Sequence, residues 1–176
     1  MWQCKKNEIL KMPYIDLHKS KPFDESTQTK LSIFEQYAKS WLPTFLMQNW
    51  IKEISIVDFF SGPGYDLELK KGSPILLLET IQYHSKSLEN SGKIIHLYFN
   101  EFVTEKYLNL QKNCNEFLSN HPHLKSYVCL EFYNNDFNDI FDLIVKKTST
   151  HPSLYILDQN GIKFLNVFIT LIINLI

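Results

Sequence analysis

Short apolar runs alternate with segments of helical period along this chain, and that alternation constrains the fold more than any other feature. Four runs read as strands: "ISIVDFF" at 54–60, "KIIHLYFNEF" at 93–102, "SYVCLEFYNNDF" at 126–137 and "PSLYILDQNG" at 152–161. They are rich in β-branched and aromatic residues, as buried strands are. Between them lie "PILLLETIQYHSKSL", "TEKYLNLQKNCNEFLSN" and "NDIFDLIVKKTS", each with helical spacing. The first begins at Pro74, where a missing N–H costs nothing. The second sets Tyr107, Leu108, Leu110, Cys114, Phe117 and Leu118 near one face. Upstream, "TKLSIFEQYAKSWLPTFL" places Leu31, Phe34, Tyr37, Ala38, Trp41 and Leu42 on one stripe of an amphipathic helix. Ser26 or Thr27 would cap it, and Pro43 would disturb or end it. Strand-helix alternation of this kind builds an open parallel sheet with helices on both faces.

A chain of 176 residues suits one domain. A polar arm over 1–25, with Pro13 and Pro22, leads into an α/β domain over 26–176. With 44% hydrophobic residues, a sizeable core is available and global disorder is excluded. The net charge of −1 gives no signal for nucleic acid or a membrane surface. Cys4, Cys114 and Cys129 lie far apart with no C-x-x-C pair, which argues against a zinc site built on them. The odd cysteine count and the absence of a signal-peptide core fit reduced thiols in a cytoplasm. The tail "KFLNVFITLIINLI" is shorter than the roughly 20 residues that span a bilayer, so stable membrane insertion is not expected. It reads instead as a core element deprived of its covering elements.

Asp58, Phe60, Gly62 and Gly64 form Asp-x-Phe-x-Gly-x-Gly at the end of the first strand. Ligands of open α/β sheets bind outside the carboxyl ends of the strands, and glycines there let backbone approach a ligand. The dinucleotide fingerprint G-x-G-x-x-G lacks its third glycine. Gly72 is followed by Ser73-Pro74 instead of Lys-Ser/Thr, so this is no P-loop. Taken alone, the turn fits a cofactor site, with a tight strand-to-helix connection as the alternative. Glu101, Asp136 and Asp158 close the next three apolar runs, at the same sheet edge as Asp58. An acid after the second strand can accept both hydroxyls of a ribose, and one after the third an adenine amino group. Each acid by itself also fits a solvated loop.

"KLSIFEQYAKSWLP", then "IVDFFSGPG", then "KGSPILLLETI" resemble, in that order, the three-Cys-motif partner protein family, with the likeness extending over residues 18–164. That family is similar in fold to S-adenosylmethionine-dependent methyltransferases. The resemblance therefore implies a Rossmann-like, methyltransferase-type open parallel sheet of about four strands in the order 3-2-1-4, with flanking helices. It implies S-adenosylmethionine as cofactor, with Asp58, Gly62 and Gly64 at its methionine end, Phe60 among the cofactor-binding residues, Glu101 at the ribose and Asp136 at the adenine. It implies Asp158 as the start of the fourth-strand motif that faces the methyl group, and a three-Cys-motif protein as partner. The family has Asp-Pro-(Phe/Tyr)-Gly at that last position, whereas this chain has Asp158-Gln159-Asn160-Gly161. In amino-methylating enzymes such a turn holds the target nitrogen, so the departure bears on catalysis more than on cofactor binding. Methyltransferase sheets also need further strands after the fourth, which makes the expected sheet incomplete at its C-terminus, as in a truncated copy.

Other chemistries fit less well. A cytosine-5 DNA methyltransferase needs a Pro-Cys nucleophile after the fourth strand, and no cysteine follows Cys129. A metal hydrolase needs clustered ligands, but His18, His84, His96, His121, His123 and His151 are scattered, and only His121 and His123 are close in sequence. That pair reads as solvated loop residues, and no metal is expected. A nucleophile elbow G-x-S-x-G is absent. Two functions of different class follow. One is an S-adenosylmethionine-dependent methyltransferase, or its cofactor-binding half, acting on nucleic acid or protein. The other is a catalytically inactive partner protein or gene remnant that works through protein contacts.

Overall fold

A computed structural model describes residues 22–157 of the chain. Most of the N-terminal arm, Asp158-Gln159-Asn160-Gly161 and the apolar tail lie outside the described residues. Helix α1 spans Glu25–Leu46. Its cap is Asp24, not Ser26 or Thr27: the Asp24 carboxylate accepts from the Thr27 N–H at 2.7 Å. A carboxylate both satisfies an orphan N–H and faces the positive end of the helix, which a hydroxyl does less well. Pro43 does not end the helix, which continues to Leu46. Ala38, Leu42 and Leu46 form its buried stripe, whereas Tyr37 is exposed.

The remaining elements are β1 (Glu53–Asp58), α2 (Ser73–Tyr83), α3 (Ser85–Ser91), β2 (Ile94–Asn100), α4 (Thr104–Asn120), β3 (Val128–Tyr133), α5 (Phe137–Thr148) and β4 (Ser153–Ile156). A 3-10 turn, Pro122–Ser126, precedes β3. The helix expected over 74–88 is two helices that break at His84. The bend carries Leu88 into the core, where α3 meets α1. In α4 the buried side is Leu110, Cys114, Phe117 and Leu118, and Leu108 faces solvent.

All four strands are parallel, in the order β3-β2-β1-β4. This is an α/β, Rossmann-like open sheet of order 3-2-1-4 with helices on both faces, as the sequence leads one to expect. Central β1 is buried from Ile54 to Asp58, since it has a neighbour on each edge and helices above and below. Alternation along it separates two cores. Ile54 and Ile56 point to the face covered by α1, α2 and α4, with Ile95, Leu97 and Phe99 beside them. Val57 points to the face covered by α5, with Tyr98, Ile140, Phe141 and Ile144. No helix among the described residues is long and apolar enough to cross a membrane.

One loop on the way from β1 to α2 is unusually well fixed. The Asp66 carboxylate accepts from the N–H groups of Phe23, Glu68 and Lys70, each at 2.8 Å. Partial burial pushes this carboxyl up, but those three donors outweigh it and hold the group below the usual carboxylate range. The loop tip is strained: Leu69 has a φ of +60°, in the left-handed region, with its side chain 78% exposed. A leucine there incurs steric cost and buries little in return. Leu69→Asn should therefore stabilise the fold by about 0.5–1 kcal/mol, read as a higher melting temperature. A lower melting temperature would mean that the leucine makes a compensating contact.

Candidate functional site

The carboxyl edge of the sheet is organised by the last residue of β1. Asp58 is 2% exposed, and a buried carboxylate is stable only where donors reach it. Ser73, the first residue of α2, gives its hydroxyl to Asp58 Oδ2 at 2.6 Å. The Phe60 N–H reaches Oδ1 at 3.0 Å. Thus the Asp-x-Phe and Gly-Ser-Pro segments, 15 positions apart, meet at one carboxylate.

Their glycines meet as well. Gly62 and Gly64 have φ of +64° and +89°, which a side chain would strain. Gly72 has an ordinary φ, but its N–H donates to Gly64 O at 2.7 Å, and a Cβ on it would stand 3.2 Å from that same oxygen. Asn113 of α4 closes the turn from the side, donating to Pro63 O at 2.8 Å.

Glu101, directly after β2, reaches across to this turn. Its Oε2 accepts from the Gly62 N–H at 3.0 Å, and its Oε1 from the Val103 N–H at 2.8 Å. The side chain is 9% exposed. A carboxylate oxygen has two lone pairs, so each oxygen keeps one acceptor site after these bonds. Asp58, Gly62, Gly64 and Glu101 are therefore brought together, as their places at strand ends suggest. Asp136 stands further out, after β3. It caps α5, is exposed, and its Oδ1 accepts from both the N–H and the side-chain amide of Asn138. Phe60 is half-buried and stacks on Phe137, with ring centres 5.4 Å apart. Asp158 lies outside the described residues.

Sequence reasoning overlooked the amides that hold this edge. Buried Asn100 donates to Phe59 O and Asn135 O, and its own carbonyl accepts from the Asn135 N–H. Asn134 donates to the carbonyls of Glu101 and Phe102. Together they tie the ends of β1, β2 and β3. The signal was present as "YFNEF" and "YNNDF", apolar runs ending in amides one or two residues before each acid. His121 is also less solvated than its loop position suggests. It is half-buried, stacks on Phe117 at 4.3 Å and contacts Phe117 O through Nδ1 at 2.8 Å. Among the described residues no group of His, Cys, Asp and Glu has a metal-holding arrangement. Cys114 is buried, which pushes its thiol up to about 12, so it stays a neutral core residue.

A scan against protein-family models finds no match to this chain, and a search of the curated proteins finds none either.

The bond between Ser73 and Asp58 makes a stability test of the site's frame. Ser73→Ala should lower stability by about 1–2 kcal/mol, because it withdraws a donor from a buried carboxylate. Ser119→Ala, which loses only an exposed hydroxyl bond to Asn115 O, should cost less than about 0.5 kcal/mol. Equal losses in thermal melts would show that Ser73 is not a structural partner of Asp58.

Proposed function

We propose that the carboxyl edge of this sheet binds S-adenosylmethionine, and that the chain is a three-Cys-motif partner protein with a methyltransferase-like cofactor-binding half. The observation that carries this reading is the Glu101 carboxylate. Two backbone N–H groups orient it beside the glycine turn, and each of its oxygens retains one lone pair. Such a carboxylate suits a pair of neighbouring hydroxyls, the recognition feature of a ribose. Nothing lies within 4 Å of where a Cβ on Gly62 would stand, so the turn leaves room for a ligand next to its backbone.

On this reading Asp58, Gly62 and Gly64 border the amino-acid end of the cofactor. Glu101 takes the ribose, and Phe60 and Asp136 stand toward the adenine side. The bound cofactor would supply an electrophilic methyl group. The protein's own part is to bind and orient it through groups already fixed by Ser73, Asn100, Asn113 and Asn134. The acceptor belongs to nucleic acid or protein, the partner is a three-Cys-motif protein, and the compartment is the cytoplasm. The second reading, a catalytically inactive partner protein, draws its support from the sequence Asp158-Gln159-Asn160-Gly161, which lacks the proline and aromatic of the family's motif.

Calorimetry with S-adenosylhomocysteine tests the binding claim on folded protein. Binding should be measurable, and Glu101→Gln should weaken it by about tenfold or more through loss of a charged acceptor. Absence of heat from a folded sample, or binding indifferent to Glu101→Gln, refutes this assignment. Transfer of labelled methyl to any acceptor, abolished by Asp58→Ala, would exclude the inactive reading.

A further inference from the structure

The amino edge of the sheet carries a second polar cluster, on the face that α5 covers. Glu53 opens β1, His96 of β2 lies in register with Ser55, and His151 sits in the connection from α5 to β4. Glu53 Oε2 is 3.2 Å from His96 Nε2 and 4.0 Å from His151 Nδ1. The two rings are 5.9 Å apart, and the same carboxylate oxygen lies within 4.0 Å of a nitrogen on each. Ser55 is fully buried, and its Oγ lies 2.5 Å from His151 Nε2. His96 Nε2 is buried and misaligned for a hydrogen bond despite its short approach to Glu53. A cavity of about 300 Å³, lined in part by Trp50, Glu53 and His151, gives solvent access to the cluster.

We infer that Glu53, His96 and His151 form a pH-sensitive clamp that seats β4 against β1. A neutral His151 can accept the Ser55 hydroxyl proton at Nε2. A protonated ring can only donate there, which turns Ser55 into an acceptor and leaves its own proton to the Tyr98 hydroxyl nearby. With both rings protonated, two cations share the single Glu53 carboxylate in a half-buried place.

The surrounding groups offset that charge only in part, through the attraction between Glu131 and His96. Among the described strand residues Glu131 of β3 is the other acid on this face, and it is already engaged by Lys147 of α5 at 2.5 Å and by the Tyr133 hydroxyl at 2.8 Å. Lys147 also lies over the Tyr98 ring at 5.3 Å and adds positive charge. Cys129 is the register partner of His96, Thr150 Oγ1 is 3.2 Å from His151 Nδ1, and Lys52 stands at the cavity rim.

Burial holds the His151 imidazole below the ordinary histidine range, with Glu53 opposing that effect and His96 adding to it. A histidine depressed in the folded state binds protons more readily when unfolded. Stability is therefore full above the ordinary value of about 6.5 and is lost as pH falls below it. The loss is local because His151 immediately precedes Pro152, whose carbonyl accepts the Ser55 N–H at 2.9 Å at the start of the β1–β4 pairing. None of the clamp residues is among those assigned to the opposite edge.

Amide hydrogen exchange, corrected for intrinsic rates, tests it. From about pH 7.5 to about pH 5.5, protection of the β4 amides should fall by about threefold relative to that of β2. His151→Gln should abolish the difference. A uniform loss over all strands, or an unchanged drop in His151→Gln, overturns the clamp. If that variant does not fold, Glu53→Gln carries the test. Without the shared carboxylate the drop must deepen, and an unaltered drop overturns the inference.

Discussion

A buried carboxylate must be answered by donors, and the answer given to Asp58 sets much of what surrounds it. One oxygen takes the Ser73 hydroxyl and the other the Phe60 N–H, so the chain cannot leave β1 in an arbitrary direction. It must double back to place the first residue of α2 beside the last residue of β1. The closing contact, Gly72 N–H to Gly64 O, is only 2.7 Å long and tolerates no Cβ on Gly72 without displacing backbone. Between these anchors the chain passes through two left-handed glycines, and one of them offers its N–H to Glu101. The position of an acid from β2 is thus linked to a carboxylate at the end of β1 through a single turn.

The parallel sheet explains why these groups share an edge. Parallel strands all end on the same side, and each connection returns over a face by way of a helix. The price is a row of strand-end polar groups that water reaches incompletely. Here asparagines satisfy them: Asn100 bridges the ends of β1 and β3, and Asn134 holds the two carbonyls that follow β2. These amides cannot ionise, so they stiffen the edge without adding charge beside Asp58 and Glu101.

The parts of this design that were legible in the sequence are those with local or periodic signatures. Strand–helix alternation announced the parallel sheet, and positive φ at Gly62 and Gly64 is what a Gly-Pro-Gly turn requires. Glu101 was recognisable because an acid directly after a β-branched run must emerge at the strand's end. The helix cap was misplaced because Asp24, Ser26 and Thr27 are all competent caps by residue type, and it is the Asp24 carboxylate that accepts the first-turn Thr27 N–H. The break at His84 was invisible because the periodicity of "PILLLETIQYHSKSL" continues through it. The histidine cluster was hidden for a different reason. His96 and His151 are far apart in sequence, and only the pairing of β1 with both β2 and β4 brings them to one carboxylate.

That pairing also connects the two edges. β4 is a strand of four residues, about 13 Å long at the usual rise, and it is held at both ends by β1. At one end the Ser55 N–H meets Pro152 O, beside the ring of His151. At the other the Phe59 N–H reaches Ile156 O at 3.4 Å, one residue after Asp58. Phe59 in turn packs against Phe137, Phe141 and Tyr155, so its position depends on β4 and α5 being seated together. A short strand that is fixed at both ends has little room to adjust at one end alone. Displacement of β4 at the histidine end would therefore be felt in the backbone that leads into the glycine turn. The same four-residue pairing thus ties β4 to β1 beside His151 at one edge and beside Asp58 at the other.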